Sequence, residues 1–257
     1  MFFINVFLLI FRVGNGVFNI SSLENSTNWF FDYQNFYGPN LANIWETNCQ
    51  TDPKGAKCAF FEVESDKILY GVDPYDIYGQ CWGGFDLSKN FHPRFKRMAK
   101  KHNVGDGGAP CADFTPFSNC FNTPYVKQAL HVPENVTWEA CSDIDYNIDP
   151  QGSFPCYLNT LFKTKDLNIL IYSGDIDGVV PYLDTLLSID YLEAKSNGKR
   201  TVDWHQWKYP GNQVGGQAVQ YSNLQFTTIR AAGHQVPTSQ PAAAFFMFNQ
   251  TLNGIPL

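Results

Sequence analysis

A chain of 257 residues that is 44% hydrophobic, with 22 Phe, 13 Tyr and 6 Trp, can bury one sizeable core. Its formal charge is −6 and its acids and bases are interspersed, so no basic stripe is present to neutralise phosphates. That excludes nucleic acid as a natural partner, and a net negative surface suits an acidic compartment or the outside of a cell.

The first eleven residues, MFFINVFLLIF, are almost wholly apolar. Two readings compete: the apolar core of a signal peptide, for which a basic start and a small-residue cleavage site are missing, or a buried strand running into a Gly-Asn-Gly turn at 14–16. Either way the run is too short to cross a bilayer, and no membrane partner is expected. Residues 19–50 place Trp29, Phe30, Tyr33, Phe36, Tyr37, Leu41, Ile44 and Trp45 at mixed helical spacing, which predicts two helices. Residues 51–120 are rich in Gly, Pro, Asp, Lys and Cys and read as a loop-rich insertion stapled by disulfides. In TPYVKQALHV, Pro124 stands where the first residue of a helix should be.

From residue 167 the pattern sharpens. LNILIYSG is a continuous apolar run ending at Gly174, the mark of a strand buried on both faces, and it predicts a parallel sheet. DTLLSIDYLEA has helical spacing, VDWHQWKY alternates, and LQFTTIRAAG is a further strand running to a glycine. PAAAFFMFNQTLNG closes the chain as an amphipathic helix, with Pro241 at its start and Gly254 past its end. The fold class is α/β, without internal repeats.

Seven cysteines, Cys49, Cys58, Cys81, Cys111, Cys120, Cys141 and Cys156, show no C-x-x-C spacing and no His at zinc-finger distance, which speaks against a metal site. No cofactor is called for. Sequons at Asn19, Asn25, Asn135 and Asn249 agree with disulfides in pointing to a secretory history, lysosomal or extracellular. The odd count leaves one thiol without a partner inside the chain.

In an open parallel sheet the functional loops lie beyond the carboxyl ends of the strands. SGDIDGVVP (173–181) and AAGHQVPTSQP (231–241) both qualify, each offering a titratable side chain beside a glycine and before a Val-Pro. Taken singly, Asp175 and Asp177 read as turn or cap residues and His234 as a satisfied polar group. Taken together, an Asp followed 57 residues later by a His is the order of triad partners in α/β-hydrolases, where the Ser comes first.

At this point the residues carry a specific resemblance. YSGDIDGVVP and NQVGGQAVQYSNLQFTTIRAAGHQVPTSQPAAAFFMFNQTLNG are similar to the last third of the cathepsin A-like serine carboxypeptidases, and FRVGNG, Trp45 through Cys49, YGQCW, APC, NTPYVKQALHV and WEACSD match further blocks in order. The resemblance implies an α/β-hydrolase fold, partial, made of the C-terminal strands and helices plus a disulfide-stapled helical insertion. It covers 1–257 as a single domain, with 25–120 as the helical and loop insertion. It implies Asp177 as the triad acid, His234 as the general base, Asp175 as a turn residue, and Val180 and Gln235 as substrate-pocket residues. It also implies the pairs Cys49–Cys58 and Cys81–Cys111, with Cys141 orphaned and the connectivity of Cys120 and Cys156 open.

The family's nucleophile lies in a G-E-S-Y-A-G segment, and no G-x-S-x-G occurs in this chain. The expectation is therefore the C-terminal portion of a serine carboxypeptidase that hydrolyses peptides from their C-termini, inactive by itself because the nucleophilic Ser is absent. A catalytically inert carboxypeptidase-like binding protein and an acyltransferase on the same fold are the alternatives. The expected substrates are peptide or protein C-termini, and a homodimer is one open assembly state.

Overall fold

The structure, a computed structural model, describes residues 10–79, 115–139, 163–164, 167–196 and 200–257. In chain order, strand β1 (Ile10–Gly14) is followed by α1 (Ile20–Tyr33), α2 (Pro39–Ile44) continuing into a π-helical turn at Trp45–Cys49, α3 (Ala56–Leu69), α4 (Thr115–Phe121) and α5 (Pro124–Ala129). Then come β2 (Asn168–Gly174), α6 (Tyr182–Ser196), β3 (Arg200–Tyr209), β4 (Gln213–Tyr221), β5 (Leu224–Ile229), α7 (Val236–Ser239) and α8 (Pro241–Leu252). The described residues divide into two compact units, the first within Met1–Phe31, Tyr75–Ile77 and Ile148–Leu257, the second within Asp32–Pro74 and Tyr78–Asn147.

The first unit is built on a five-stranded sheet of order β1-β2-β5-β4-β3. β2 sits between β1 and β5 and is parallel to both, while β5–β4 and β4–β3 are antiparallel. The parallel pairing expected from the β2 run holds on both sides of that strand, while the sheet as a whole is mixed, with an antiparallel half that was not expected. The cause is connection length: the few residues between β3 and β4 and between β4 and β5 close tight hairpins, and only an antiparallel pair can be joined so briefly. β4, which no sequence pattern singled out, is interrupted by Gly215 and Gly216 and so lacks a clean alternation.

Both faces of the sheet are covered, as the unbroken apolar run of β2 requires. Successive residues of a strand point to opposite faces, so Ile169 and Ile171 join Val219, Tyr221, Leu224 and Phe226 against Ile189 of α6. On the other face Leu170, Trp207, Ala218 and Ile229 meet Val236 of α7 and Ala243, Ala244 and Met247 of α8. Every residue of β5 is buried, whereas β3, an edge strand, buries only Trp207. Of the opening run only Ile10 and Phe11 are described, and they begin strand β1, which continues to Gly14; residues 1–9 lie outside the described residues.

The two helices expected over 19–50 form as α1, which lies almost wholly in the first unit, and α2 in the second. In the second unit Tyr37 and Trp45 each place a ring 5.2 Å from that of Phe61 on α3. α3 lies where a loop-rich insertion was expected. Cys58, Phe61 and Ser65 form its buried face, but Phe60 and Ile68 are exposed apolar residues that blur the helical stripe in the sequence. A disulfide joins Cys49, at the end of the π turn, to Cys58 in the first turn of α3. Cys120 carries a free, exposed thiol. The expected partners Cys81 and Cys111, together with Cys141 and Cys156, lie outside the described residues. Pro124 opens α5 as its first residue, as the sequence predicts.

Two stability outcomes follow from this packing. Ile171→Ala, at a position with 0% exposure, should lower the urea midpoint by the equivalent of about 2–5 kcal/mol. Replacing Cys49 and Cys58 together by Ala opens a crosslink between residues nine apart, and should cost the second unit about 2–3 kcal/mol, read by thermal melting with and without reductant.

Candidate active site

The site forms where the carboxyl ends of β2 and β5 lie side by side. Gly174 ends β2 with its Cα against the carbonyls of Ala232 and Gly233, and a Cβ there would collide with both. Glycine is thus what allows the two turns to touch. They are then stitched by backbone bonds from Asp175 N to Ile229 O (3.2 Å) and from Ile176 N to Ala232 O (3.1 Å). The Asp175 carboxylate adds a side-chain link, accepting the Ala231 N–H at 2.7 Å, where Ala231 holds a left-handed φ of 56°.

Two residues beyond Asp175, the turn delivers Asp177 into the interior with 0% exposure. Its Oδ1 accepts the backbone N–H groups of Val179 (2.9 Å) and Val180 (3.1 Å). Its Oδ2 accepts the Asn15 side-chain amide at 2.8 Å and faces His234 Nδ1, also at 2.8 Å. Four donors fill the four acceptor sites, so the buried carboxyl group has no unpaired oxygen lone pair. The structure thus brings together the two residues that the sequence separates by 57 positions.

His234 is fixed from both its backbone and its ring. Its N–H donates to Tyr75 O at 2.7 Å, and the Tyr75 ring meets the imidazole edge-to-face with centroids 5.2 Å apart. The hydrogen bond to Asp177 raises the imidazole pKa above its ordinary 6.5, outweighing burial, which acts in the opposite direction. A carboxylate on Nδ1 selects the tautomer that carries its proton there, leaving Nε2 as the nitrogen that can take a proton from a nucleophile. Among the described residues no hydroxyl or thiol is bonded to Nε2. Asp175 differs from Asp177: burial raises its carboxyl pKa to about 6 against the opposing effect of the Ala231 and Ala232 amides.

Of the other residues singled out in the sequence, Val180 is buried at 3% exposure with its N–H on Asp177, and Gln235 is exposed at the start of α7. Asn135 and Asn249 are exposed, while the Asn19 and Asn25 side chains are partly buried. Two members of the site escaped the sequence reading. Asn15 was only part of a Gly-Asn-Gly turn, and Tyr75 sat inside a stretch read as a loop. Asn15 stands just past β1 with a left-handed φ of 43°, and an asparagine set between two glycines, a residue type that tolerates that region, was the available signal.

A Rossmann-like mixed sheet with helices on both faces, an Asp beyond one central strand and a His beyond its neighbour, is an α/β-hydrolase arrangement. The sequence profile of the serine carboxypeptidase family matches residues 5–254. This chain belongs to the serine carboxypeptidase family. Among its relatives, the lysosomal protective protein of Mus musculus is 30% identical over 276 aligned positions, covering 95% of this chain and 58% of that protein. Serine carboxypeptidase-like 26 of Arabidopsis thaliana is 37% identical over 79% of this chain and 44% of its own length. The fold is similar to that of a prohormone-processing carboxypeptidase from Saccharomyces cerevisiae, with a TM-score of 0.51 at 19% identity, covering 95% of this chain and 54% of that one. The chain spans about half the length of the curated relatives it matches. No helix among the described residues is long and apolar enough to cross a membrane.

The pKa shifts predict how stability depends on pH. Asp175 and His234 both bind a proton more tightly folded than unfolded, so the folded state gains from acid in both cases. Stability should fall as pH rises from about 4 to about 6 through Asp175, and fall again from 6.5 upward as His234 loses its proton. Asp175→Asn should flatten the lower segment and Asp177→Asn the upper one. Urea midpoints measured at half-unit pH steps check both.

Proposed function

We propose that this chain supplies the acid and base of a serine carboxypeptidase, which releases residues from peptide C-termini through an acyl-enzyme. The observation that carries the reading is the 2.8 Å contact between His234 Nδ1 and the fully buried carboxylate of Asp177. In this scheme a Ser hydroxyl attacks the scissile carbonyl while His234 Nε2 takes its proton and then hands it to the leaving amine. Asp177 holds the ring and stabilises the imidazolium without itself becoming protonated. Val180 is assigned a place under the pocket wall, fixed through its amide, and Gln235 a place at the exposed rim.

The Ser belongs to a G-x-S-x-G segment that this sequence does not contain, so the chain by itself is assigned no hydrolytic activity. A second reading is a carboxypeptidase-like protein that binds without catalysis. The acyltransferase alternative shares the Asp and His and differs only in passing the acyl group to an alcohol. The working location is a lysosome or the extracellular space, supported by the Cys49–Cys58 disulfide and by two exposed sequons, Asn135 and Asn249, the positions most open to a glycan.

Intact-mass analysis of the native protein combined with labelling by a fluorophosphonate serine reagent tests the proposal. A longer native species that labels, and loses its kcat by about 10⁴-fold or more in His234→Ala and by about 10⁴-fold in Asp177→Asn, supports the carboxypeptidase. A native protein of this length that does not label supports the non-catalytic reading.

A further inference from the structure

We propose that Asn15 is a positioning residue for the Asp177–His234 pair, holding the carboxylate in the one rotation that fixes the tautomer of the imidazole. The inference rests on the hydrolase reading of the pair but concerns a residue to which that reading gives no role. Three observations carry it. Asn15 is 5% exposed, so its amide must find its partners inside the protein. Its Nδ2 donates to Asp177 Oδ2 at 2.8 Å, the same oxygen that faces His234, while its Oδ1 lies 3.4 Å from the Gly174 N–H at the end of the neighbouring strand. Its backbone stands at φ 43°, a conformation that a non-glycine residue adopts at a cost, with its N–H on Tyr172 O at 2.9 Å.

A strained backbone at a buried site persists only where the surroundings demand it. A turn that needed only positive φ would be met better by glycine, which flanks this position on both sides at Gly14 and Gly16. What asparagine adds is an amide that donates and accepts at once. The donor goes to the carboxylate and the acceptor to β2, so the carboxylate is referred to the sheet itself rather than to the turn that carries it. Oδ1 of Asp177 is already filled by the amides of Val179 and Val180. With those two bonds alone the carboxylate could rock about its Cβ–Cγ axis, and the Asn15 bond fixes the plane in which Oδ2 meets Nδ1. An amide is suited to this because it donates without carrying charge, leaving the anion's field directed at His234.

Asn15→Gly removes the amide while keeping the backbone conformation at ease, so it separates positioning from folding. The readout is the imidazole nitrogen and Nδ1–H resonances of His234, assigned against His234→Gln, in the folded chain. The parent chain is expected to show a single neutral tautomer protonated at Nδ1 with a downfield proton. In Asn15→Gly that proton should disappear and the tautomers mix, in a chain that still unfolds cooperatively at a somewhat lower temperature, since a buried acceptor loses a donor. Unchanged resonances would overturn the proposal.

Should the glycine variant fail to fold, Asn15→Asp keeps the shape and replaces the donor by a second carboxyl. The titratable groups on the elements packed against it are Asp177 beyond β2, His234 beyond β5, and Tyr172 on β2, whose ring lies against Gly14. Protonated at mildly acid pH, the new carboxyl can donate to Oδ2 and restore the downfield proton. Ionised at higher pH, it repels Asp177 and the signal should vanish where the parent retains it. A signal independent of pH in this variant would count against positioning. Neither readout needs catalysis, so the proposal can stand if the protein proves inert. In a longer Ser-bearing form, the glycine variant should lower kcat by up to about a hundredfold at unchanged KM.

Discussion

A carboxylate with no exposure to water dominates the design of this protein. Asp177 can sit in the interior because donors from three places converge on it: two amides of its own turn, the side chain of Asn15 beyond β1, and the ring of His234 beyond β5. Each donor reaches it from the carboxyl end of a strand or from the turn that follows. Strand order, the glycine at 174 and the stitched turns can all be read as conditions for that convergence. Without those donors the buried oxygens would be left unpaired, at a cost the fold would have to bear, and the imidazole would lose the partner that fixes its tautomer.

Strand order matters most. Placing β5 directly beside β2, after the chain has run out to the edge and back through β3 and β4, brings residues 57 apart to within 2.8 Å. The two strands that carry the pair are also the most buried in the sheet, packed by α6 on one face and by α7 and α8 on the other. A site built on rigid, doubly covered strands keeps its geometry, whereas the same side chains on free loops would not. The exposed hairpin strand β3 shows the contrast: it carries no part of the constellation.

Both titrating groups with resolved shifts at this edge, Asp175 and His234, hold protons more firmly in the folded state. The site is thus favoured by mild acid, in keeping with the acidic charge balance of the whole chain. Asp175 contributes through a different physical route from Asp177. It ties the turn of β2 to that of β5 through one amide, and its partial isolation from water, rather than a charged neighbour, sets its proton affinity.

Much of this was legible in the letters. Apolar continuity marked β2 and β5, Pro124 and Pro241 marked helix starts, and Gly-flanked Asp and His at strand ends marked the chemistry, because each is a local consequence of backbone sterics and periodicity. The sequence by itself therefore determined the elements that bear the site and the side chains it offers. It did not determine the antiparallel half of the sheet, since Gly215 and Gly216 erase the alternation of β4. Nor did it reveal α3, whose apolar residues fall on two faces. Only the tertiary structure decided that β5 inserts beside β2, that Asn15 turns inward onto Asp177, and that Tyr75 receives the backbone of His234. Those contacts join residues dozens to more than a hundred positions apart, and no local propensity encodes a long-range pairing.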